Sequence, residues 1–220
     1  MSKPSNTTRA VEQLRTLIFN GTLAAGSDHL ESELADRLGL SRTPVREALL
    51  VLEGQGLVDV RPRKGARIRP VSPNDMAEIY DVLTELESLA ARRAAEAGHD
   101  AAALEQLAHS IDAMDHALRN NDRAAWAKAD DTFHTELVRL GQNARIETIV
   151  QMMADQVRRA RLVTLHMRPA PVQSNDDHRR VLNAIAAGDP DTAAQLHRTH
   201  RETAKTTLIA LLETHHLNHL

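Results

Sequence analysis

The first third of the chain places apolar residues at helical spacing, and this pattern predicts three short helices. The first covers residues 7–20, the second covers 31–38, and the third begins after Ser41 and ends near 54–56. Their apolar faces, in chain order, are Val11, Leu14 and Ile18, then Leu30, Leu34, Ala35 and Leu38, then Val45, Ala48, Leu49 and Leu52. Because only Gly39-Leu40 separates the second helix from the third, the pair is predicted to be a helix-turn-helix.

Alternating apolar and polar residues replace the helical spacing after residue 56. The segments 57–61 and 66–70 flank the turn Pro62-Arg63-Lys64-Gly65, which predicts a β-hairpin, or wing. Arg61, Arg63 and Lys64 lie at or near its tip. These three basic residues favour contact with a polyanion, and a purely structural ribbon is the alternative.

From residue 72 onward the spacing is helical throughout, after a short linker that Pro70 and Pro73 bracket. Six helices are predicted, over residues 74–97, 100–119, 122–141, 143–167, 174–187 and 190–214. The predicted fold is therefore mainly α. A winged helix-turn-helix of three helices and a hairpin occupies residues 1–71, and a six-helix, all-α bundle occupies 72–220.

Composition excludes several classes of protein. The chain has no cysteine, so it holds no disulfide, iron–sulfur cluster or thiolate zinc site. Aromatic residues make up only 2% of the 220 residues, which argues against a base-stacking platform for single-stranded nucleic acid. No apolar run approaches the ~20 residues of a membrane span, and the N-terminus lacks a signal-peptide core. We therefore expect a cytoplasmic protein without membrane contact.

The third predicted helix has the features of a DNA-reading element. Ser41 and Thr43 are candidate N-caps, and Pro44 is tolerated in a first turn. Arg42 and Arg46 are four residues apart and share a polar face with Thr43, which suits phosphates and guanine edges. The alternative is a surface helix with two solvated arginines. The charge distribution supports DNA binding by the N-terminal part. Residues 1–71 carry 11 Lys/Arg against 8 Asp/Glu, whereas residues 72–220 carry 16 against 22.

Residues 8–71 resemble the winged helix of the GntR family of bacterial transcription regulators. The resemblance is carried by Leu30-Glu31-Ser32-Glu33-Leu34-Ala35, by the run from Ser41 to Leu49, and by Gly56-Leu57-Val58 and Gly65. It implies groove-reading roles for Arg42, Thr43 and Arg46. It also implies a backbone contact from Ser32 and a wing tip at Lys64-Gly65. The expected DNA-contacting residues are Ser32, Ser41, Arg42, Thr43, Arg46, Arg63, Lys64 and Gly65.

Four polar side chains are predicted to point into the bundle. At about 100° per residue, Asp130 and His134 share a face at the core edge of one helix. His178 lies within the apolar stripe of the next-to-last helix, and His200 lies within that of the last. Each histidine alone is better explained as a hydrogen-bonded core residue. Together with the carboxylate they indicate a divalent metal site, with zinc expected and nickel, manganese or iron as alternatives.

The other histidines are assigned less direct roles. His197 falls about 60° off the stripe of its helix, so His200 is preferred as the ligand. His166 is expected to be exposed, because it lies opposite the apolar face of its helix. His215, His216 and His219 are predicted to form a weak surface metal patch or to have no function.

The C-terminal part resembles the FCD effector domain of FadR-like GntR regulators. The resemblance rests on Asp130-Asp131-Thr132-Phe133-His134, on Asn143, and on the eleven-residue spacings between His178, Asp189 and His200. It implies Asp130, His134, His178 and His200 as metal ligands beside a pocket for a small carboxylate. Leu83 stands where many relatives carry an arginine that holds the acid. Arg161 is therefore the candidate effector-binding residue, with a surface arginine as the alternative.

Three functions compete at this point. The favoured one is a dimeric transcription regulator, by preference a repressor, that reads a palindromic operator and responds to an organic acid. The second is a metal-dependent enzyme, but no general base beside the metal ligands is recognisable, such as the Glu of an H-E-x-x-H helix, and the N-terminal 70 residues would have no purpose. The third is a structural DNA-binding protein that senses nothing, which an inward polar cluster argues against. We therefore expect no enzymatic activity.

Overall fold

The computed structural model describes residues 4–215, which form nine helices and three short strands. The N-terminal elements are α1 Asn6–Phe19, β1 Asp28–His29, α2 Glu31–Leu38, α3 Arg42–Gly54, β2 Val58–Arg61 and β3 Gly65–Ile68. The C-terminal elements are α4 Pro73–Glu96, α5 Ala101–Arg119, α6 Arg123–Leu140, α7 Ala144–Val163, α8 Val172–Ala186 and α9 Pro190–Thr214. The predicted mainly helical fold is confirmed. Within residues 4–215, no helix is long and apolar enough to cross a membrane.

The three N-terminal helices bury nearly all of their predicted apolar residues in one core. The members that are almost fully buried are Leu14, Ile18, Leu34, Ala35, Val45, Ala48, Leu49 and Leu52. Leu30 is the exception, because it occupies the N-cap position of α2 and remains 46% exposed. The core fixes α3 against α1 and α2, so the opposite face of α3 is left free.

The wing is part of a three-stranded antiparallel sheet with the order β1-β3-β2. β2 and β3 form the predicted hairpin, in which Val58 pairs with Ile68 and Arg61 pairs with Gly65. Strand β1 was not predicted, because two residues are too few to show alternation. Gly65 is required at the β1 crossing, since its φ is +79° and a Cβ there would lie 2.0 Å from the His29 carbonyl oxygen.

The bundle is built on the lengthwise packing of α4 against α9, with α5 and α6 paired beside them and α8 against α9. Side-chain caps start most of its helices, which explains the accuracy of the predicted starts; the capping residues are Ser72, Asp100, Asp122, Asn143 and Asp189. Helix α7 ends at Val163 rather than at the predicted residue 167. Thr164 caps it there, and residues 164–167 form turns.

Helix α7 also contacts the winged helix. Arg15 Nε lies 2.7 Å from Asp155 Oδ2, and Arg159 donates a hydrogen bond to the Arg69 carbonyl oxygen at the end of the wing. The guanidinium of Arg158 lies 5.4 Å from the centre of the Phe19 ring. One helix of the bundle therefore touches α1 and the segment that follows β3.

Candidate metal centre and nucleic-acid interface

The helix-turn-helix and the wing border one groove that carries most of the predicted DNA contacts. Ser32, Arg42, Arg46, Arg61 and Arg63 line this groove. In residues 4–215, Arg42, Arg46 and Arg63 have no acidic partner within salt-bridge distance. Their charges are thus not neutralised by the protein, as contact with a phosphate backbone requires.

The remaining predicted DNA contacts lie around this groove. Ser41, Thr43 and Lys64 are exposed, whereas Gly65 lines the groove but is buried against β1, where its lack of a side chain is required. Ser41 occupies the N-cap position of α3, but its hydroxyl makes no capping hydrogen bond. The predicted N-cap position of Ser41 is confirmed, whereas Thr43 lies within α3. Because it makes no capping hydrogen bond, the Ser41 hydroxyl is available to a ligand.

Three helices bring the four predicted metal ligands together. Helix α6 supplies Asp130 and His134 one turn apart, α8 supplies His178 and α9 supplies His200. His178 Nε2 lies 3.1 Å from His200 Nε2 and 3.7 Å from Asp130 Oδ1. His134 Nε2 lies 3.8 Å from Asp130 Oδ2. Ligand atoms of the three imidazoles all lie within 4.8 Å of one another, a set that could hold a metal ion.

The donor atoms of this cluster fit a divalent cation better than they fit one another. Asp130 Oδ1 and His134 Nε2 are buried and have no hydrogen-bond partner among the described residues. Two Nε2 atoms that face each other at 3.1 Å can share only one proton. A metal ion held by the three imidazoles and Asp130 would satisfy these atoms, and a His₃-carboxylate set is one that zinc and its neighbours accept.

Two imidazoles and the carboxylate of the cluster have the protonation states that a metal needs. Burial lowers the pKa of His134 and of His178 well below the usual value, so both imidazoles are neutral at pH 7. Burial opposes ionisation of Asp130, but Arg161 and the surrounding positive groups hold its pKa below normal. Neutral imidazoles and an ionised carboxylate are the metal-binding forms.

Glu87 lies beside the predicted metal ligands, although the sequence did not predict it as a site residue. It lies on α4, is 2% exposed, and its Oε2 accepts a hydrogen bond from His134 Nδ1 at 2.9 Å. This bond directs His134 Nε2 toward the other ligands, as second partners of metal-bound histidines do. The buried face of α4 includes Glu87 together with Tyr80, Leu83, Thr84 and Ala90.

His197 is fully buried, beside the predicted cluster rather than off the core. Its Nε2 lies 3.5 Å from Glu87 Oε2, and Glu87, His134 and His197 form a second group that could hold a metal. His197 and His200 are both buried despite the offset of about 60° between them, because α4 and α8 together cover a broad side of α9. His166 and His215 are exposed, as predicted for His166, while His216 and His219 lie outside the described residues.

A cavity of about 330 Å³ adjoins the cluster, between α4, α6, α7 and α9. His134 and Glu87 form part of its wall, together with Leu83 and the predicted effector residue Arg161. Arg161 is buried, so the surface alternative is wrong. Its Nη1 donates to Asp130 Oδ2, and the guanidinium is therefore already engaged by a predicted metal ligand.

Comparisons with known proteins agree with this architecture. Residues 6–68 match the bacterial regulatory proteins of the gntR family, and residues 78–203 match the FCD domain. A probable D-xylose utilization operon transcriptional repressor of Paenarthrobacter nicotinovorans is 33% identical over 199 residues, which cover 87% of this chain and 85% of that protein. An uncharacterized HTH-type transcriptional regulator of Agrobacterium vitis is 39% identical over 140 residues, 63% of this chain and 82% of that protein.

Solved structures show the same arrangement. A putative GntR transcriptional regulator from Rhodococcus sp. RHA1 superposes with a TM-score of 0.75 at 27% identity, and the match covers 94% of this chain and 99% of that one. The family and these relatives are transcriptional regulators, not enzymes. The chain therefore belongs to the GntR family, as a DNA-binding transcriptional regulator that carries an FCD domain.

Proposed function

We propose that this regulator is a cytoplasmic repressor whose DNA binding is controlled by a small organic acid, bound beside a divalent metal in the bundle. The observation that carries the proposal is the convergence of Asp130, His134, His178 and His200, in which Asp130 Oδ1 and His134 Nε2 have no hydrogen-bond partner among the described residues. The relative from Paenarthrobacter nicotinovorans, named as a probable repressor, supports this sign of regulation.

Zinc is the proposed metal, and nickel, manganese and iron are the alternatives, since each accepts histidine or carboxylate ligands. Asp130, His134, His178 and His200 would hold it, with Glu87 fixing the tautomer of His134. The metal would supply a Lewis-acidic site for a carboxylate oxygen of the effector. Arg161 would keep Asp130 ionised and oriented, and would add positive charge to the wall of the cavity.

The cavity suits a small, negatively charged metabolite. Its volume of about 330 Å³ lies at the small end of ligand pockets, and Arg139, Arg158, Arg161 and Arg201 all line it. Acidic residues line it as well, so the additional charge of a bound metal would make the site favourable for an anion. This balance supports an organic acid as the effector.

In the proposed complex with DNA, residues 1–71 form the reading head and residues 72–220 form the sensing and dimerisation unit. Arg42, Thr43 and Arg46 would enter the major groove, with Ser41 and Ser32 at the adjacent backbone. Arg63 and Lys64 of the wing would contact phosphates beside it. Two heads related by a two-fold axis would read a palindromic operator.

A homodimer has a candidate surface on the bundle. Helices α4 and α7 pack together and expose large apolar residues, namely Val82, Leu89, Ile149 and Met152. Large apolar side chains exposed on two packed helices are candidates for an interaction surface. A dimer formed through this surface would leave the DNA-binding groove of each subunit free, as the reading of two half-sites requires.

Helix α7 offers the route from the cavity to DNA. Asp155 and Arg158 line the cavity, and the same two side chains contact Arg15 and Phe19 of the winged helix. An effector that repositions α7 would therefore change the placement of the heads. The energy for this change is limited to the difference between the effector's affinities for the two arrangements.

Metal analysis of purified variants tests the proposal. The wild-type protein and His166→Ala, an exposed histidine that serves as control, should each retain one equivalent of metal. His178→Ala should lose most of it, because a buried imidazole donor is removed. Full metal content in His178→Ala would refute the ligand assignment, and a metal-free wild type after reconstitution would refute the metal centre.

A further inference from the structure

Arg201 is a buried arginine whose hydrogen-bonding capacity the protein does not use. It lies on α9 directly after His200, is 2% exposed, and lines the cavity beside the metal cluster. Its Nε and Nη2 atoms have no hydrogen-bond acceptor within the described residues. The guanidinium is held over the Tyr80 ring, 4.6 Å from the ring centre, so its plane is fixed without its donors being occupied.

The other arginines of the cavity already have partners. Arg161 donates to Asp130, Arg158 Nε lies 3.2 Å from Asp131 Oδ2, and Arg139 forms two hydrogen bonds with Glu136. Helix α4 contributes the uncharged Leu83 to this wall. Arg201 is therefore the cavity arginine with the most unused donor capacity.

Glu87 does not satisfy the unused hydrogen-bond donors of Arg201. Its Oε1 lies 3.5 Å from Arg201 Nη2, a distance that gives electrostatic attraction but a poor hydrogen bond. Its Oε2 is engaged by His134 Nδ1. A buried guanidinium with unmade hydrogen bonds is costly, and a carboxylate in the cavity would remove that cost by a bidentate contact.

We propose that Arg201 binds an acid group of the effector that is remote from the metal, and that the effector is a dicarboxylate. One carboxylate would meet the metal at His134, and the other would meet the fork of Arg201. His134 and Arg201 line the same cavity, and the Glu87 carboxylate approaches both of them, so the two ends of a short dicarboxylate can reach the two residues. This inference rests on the proposed metal-dependent sensing, and adds the class of ligand and the residue that selects it.

The test compares dicarboxylates from malonate to adipate with monocarboxylates of the same carbon number. Each acid is titrated into metal-loaded protein, and the rise in melting temperature is followed together with metal content. The variant is Arg201→Gln. Its matched control is Arg198→Gln, one turn away on α9, where the arginine pairs with Glu85 outside the cavity.

Wild type and Arg198→Gln should bind at least one dicarboxylate more tightly than its monocarboxylate partner. In Arg201→Gln that preference should vanish, with the dicarboxylate bound roughly tenfold to a hundredfold more weakly and metal content unchanged. Arg201→Lys keeps the charge but loses the fork. It should show an intermediate preference, and it decides the question if Arg201→Gln does not fold.

If Arg201→Gln still prefers the dicarboxylate, or if Arg201→Lys prefers it as strongly as wild type does, the proposed role of Arg201 is wrong. A wild type that prefers no dicarboxylate would overturn the ligand class, even if monocarboxylates bind and alter operator affinity, in which case the proposed function stands. A wild type that holds no metal and responds to no acid would instead contradict the proposed function itself.

Discussion

Replacing Glu87 by glutamine should weaken metal binding without removing a ligand. Glu87 is 2% exposed and accepts the Nδ1 hydrogen of His134 at 2.9 Å. Glutamine keeps the shape and the acceptor oxygen but loses the negative charge. His134 Nε2 then becomes a weaker donor, because the charge-assisted hydrogen bond that raises its basicity is replaced by a neutral one.

The size of the effect follows from the partner's role. Loss of a group that hydrogen-bonds to a metal-bound histidine lowers metal affinity by a factor of about ten to a hundred, or by about 1.4 to 2.7 kcal/mol. Removing a ligand itself, as in His178→Ala, should cost more. The metal-free Glu87→Gln protein should also be less stable, since Arg201 loses its nearest negative charge at 3.5 Å.

Competition with a fluorescent zinc chelator at neutral pH measures this affinity directly. The matched control is Glu85→Gln, on the same helix but exposed and paired with Arg198, which should leave the dissociation constant unchanged. If Glu87→Gln binds zinc as tightly as wild type, the hydrogen bond to His134 does not orient a metal ligand and the reasoning fails.

Three further predictions follow from other parts of the structure. Arg46→Ala should weaken operator binding by about 1 to 3 kcal/mol and relax its specificity, and unchanged anisotropy titrations with operator and random DNA would refute its place in the groove. Asp155→Asn, which breaks the contact with Arg15, should leave metal content intact while reducing the change in operator affinity that an acid causes; an undiminished response would exclude α7 as the route. The third prediction concerns pH. Burial lowers the pKa of three histidines, namely His134, His178 and His197. The unfolded chain therefore binds about three protons below pH ~6.5 that the folded chain does not. Burial raises the pKa of Asp131 to about 6, so near pH 5 the folded chain binds one proton at this carboxyl group that the unfolded chain does not. As the pH falls, metal-free protein should thus lose about 2.7 kcal/mol of unfolding free energy per pH unit near pH 5. Denaturant titrations that give equal stability at pH 7 and pH 5 would contradict this.

The winged helix could be predicted from the sequence because its signals are local. The apolar faces of α1 to α3 follow helical spacing, and a glycine turn and a short hairpin separate the elements. Strand β1 escaped prediction because its two residues gain their structure only by pairing with β3. Nothing local to Asp28 and His29 encodes that pairing.

The candidate site was predictable where two ligands share one helix or sit in a clear stripe. Asp130 and His134 are four residues apart, so their common face follows from helical geometry. Glu87 and Arg201 depend instead on how α4 packs along α9, which spacing on a single helix does not reveal. The sequence likewise did not show that Arg161 pairs with Asp130, because the two residues lie on different helices.

In the proposed mechanism, an organic acid acts on DNA binding through the metal centre. The most direct test is fluorescence anisotropy with an operator selected by the protein from random DNA, titrated with the dicarboxylate series in the presence and absence of a chelator. We predict that an acid shifts operator affinity in metal-loaded protein and that neither chelated wild type nor His178→Ala responds. An equal shift in chelated protein would show that the acid acts elsewhere, and the proposed sensing mechanism would be wrong.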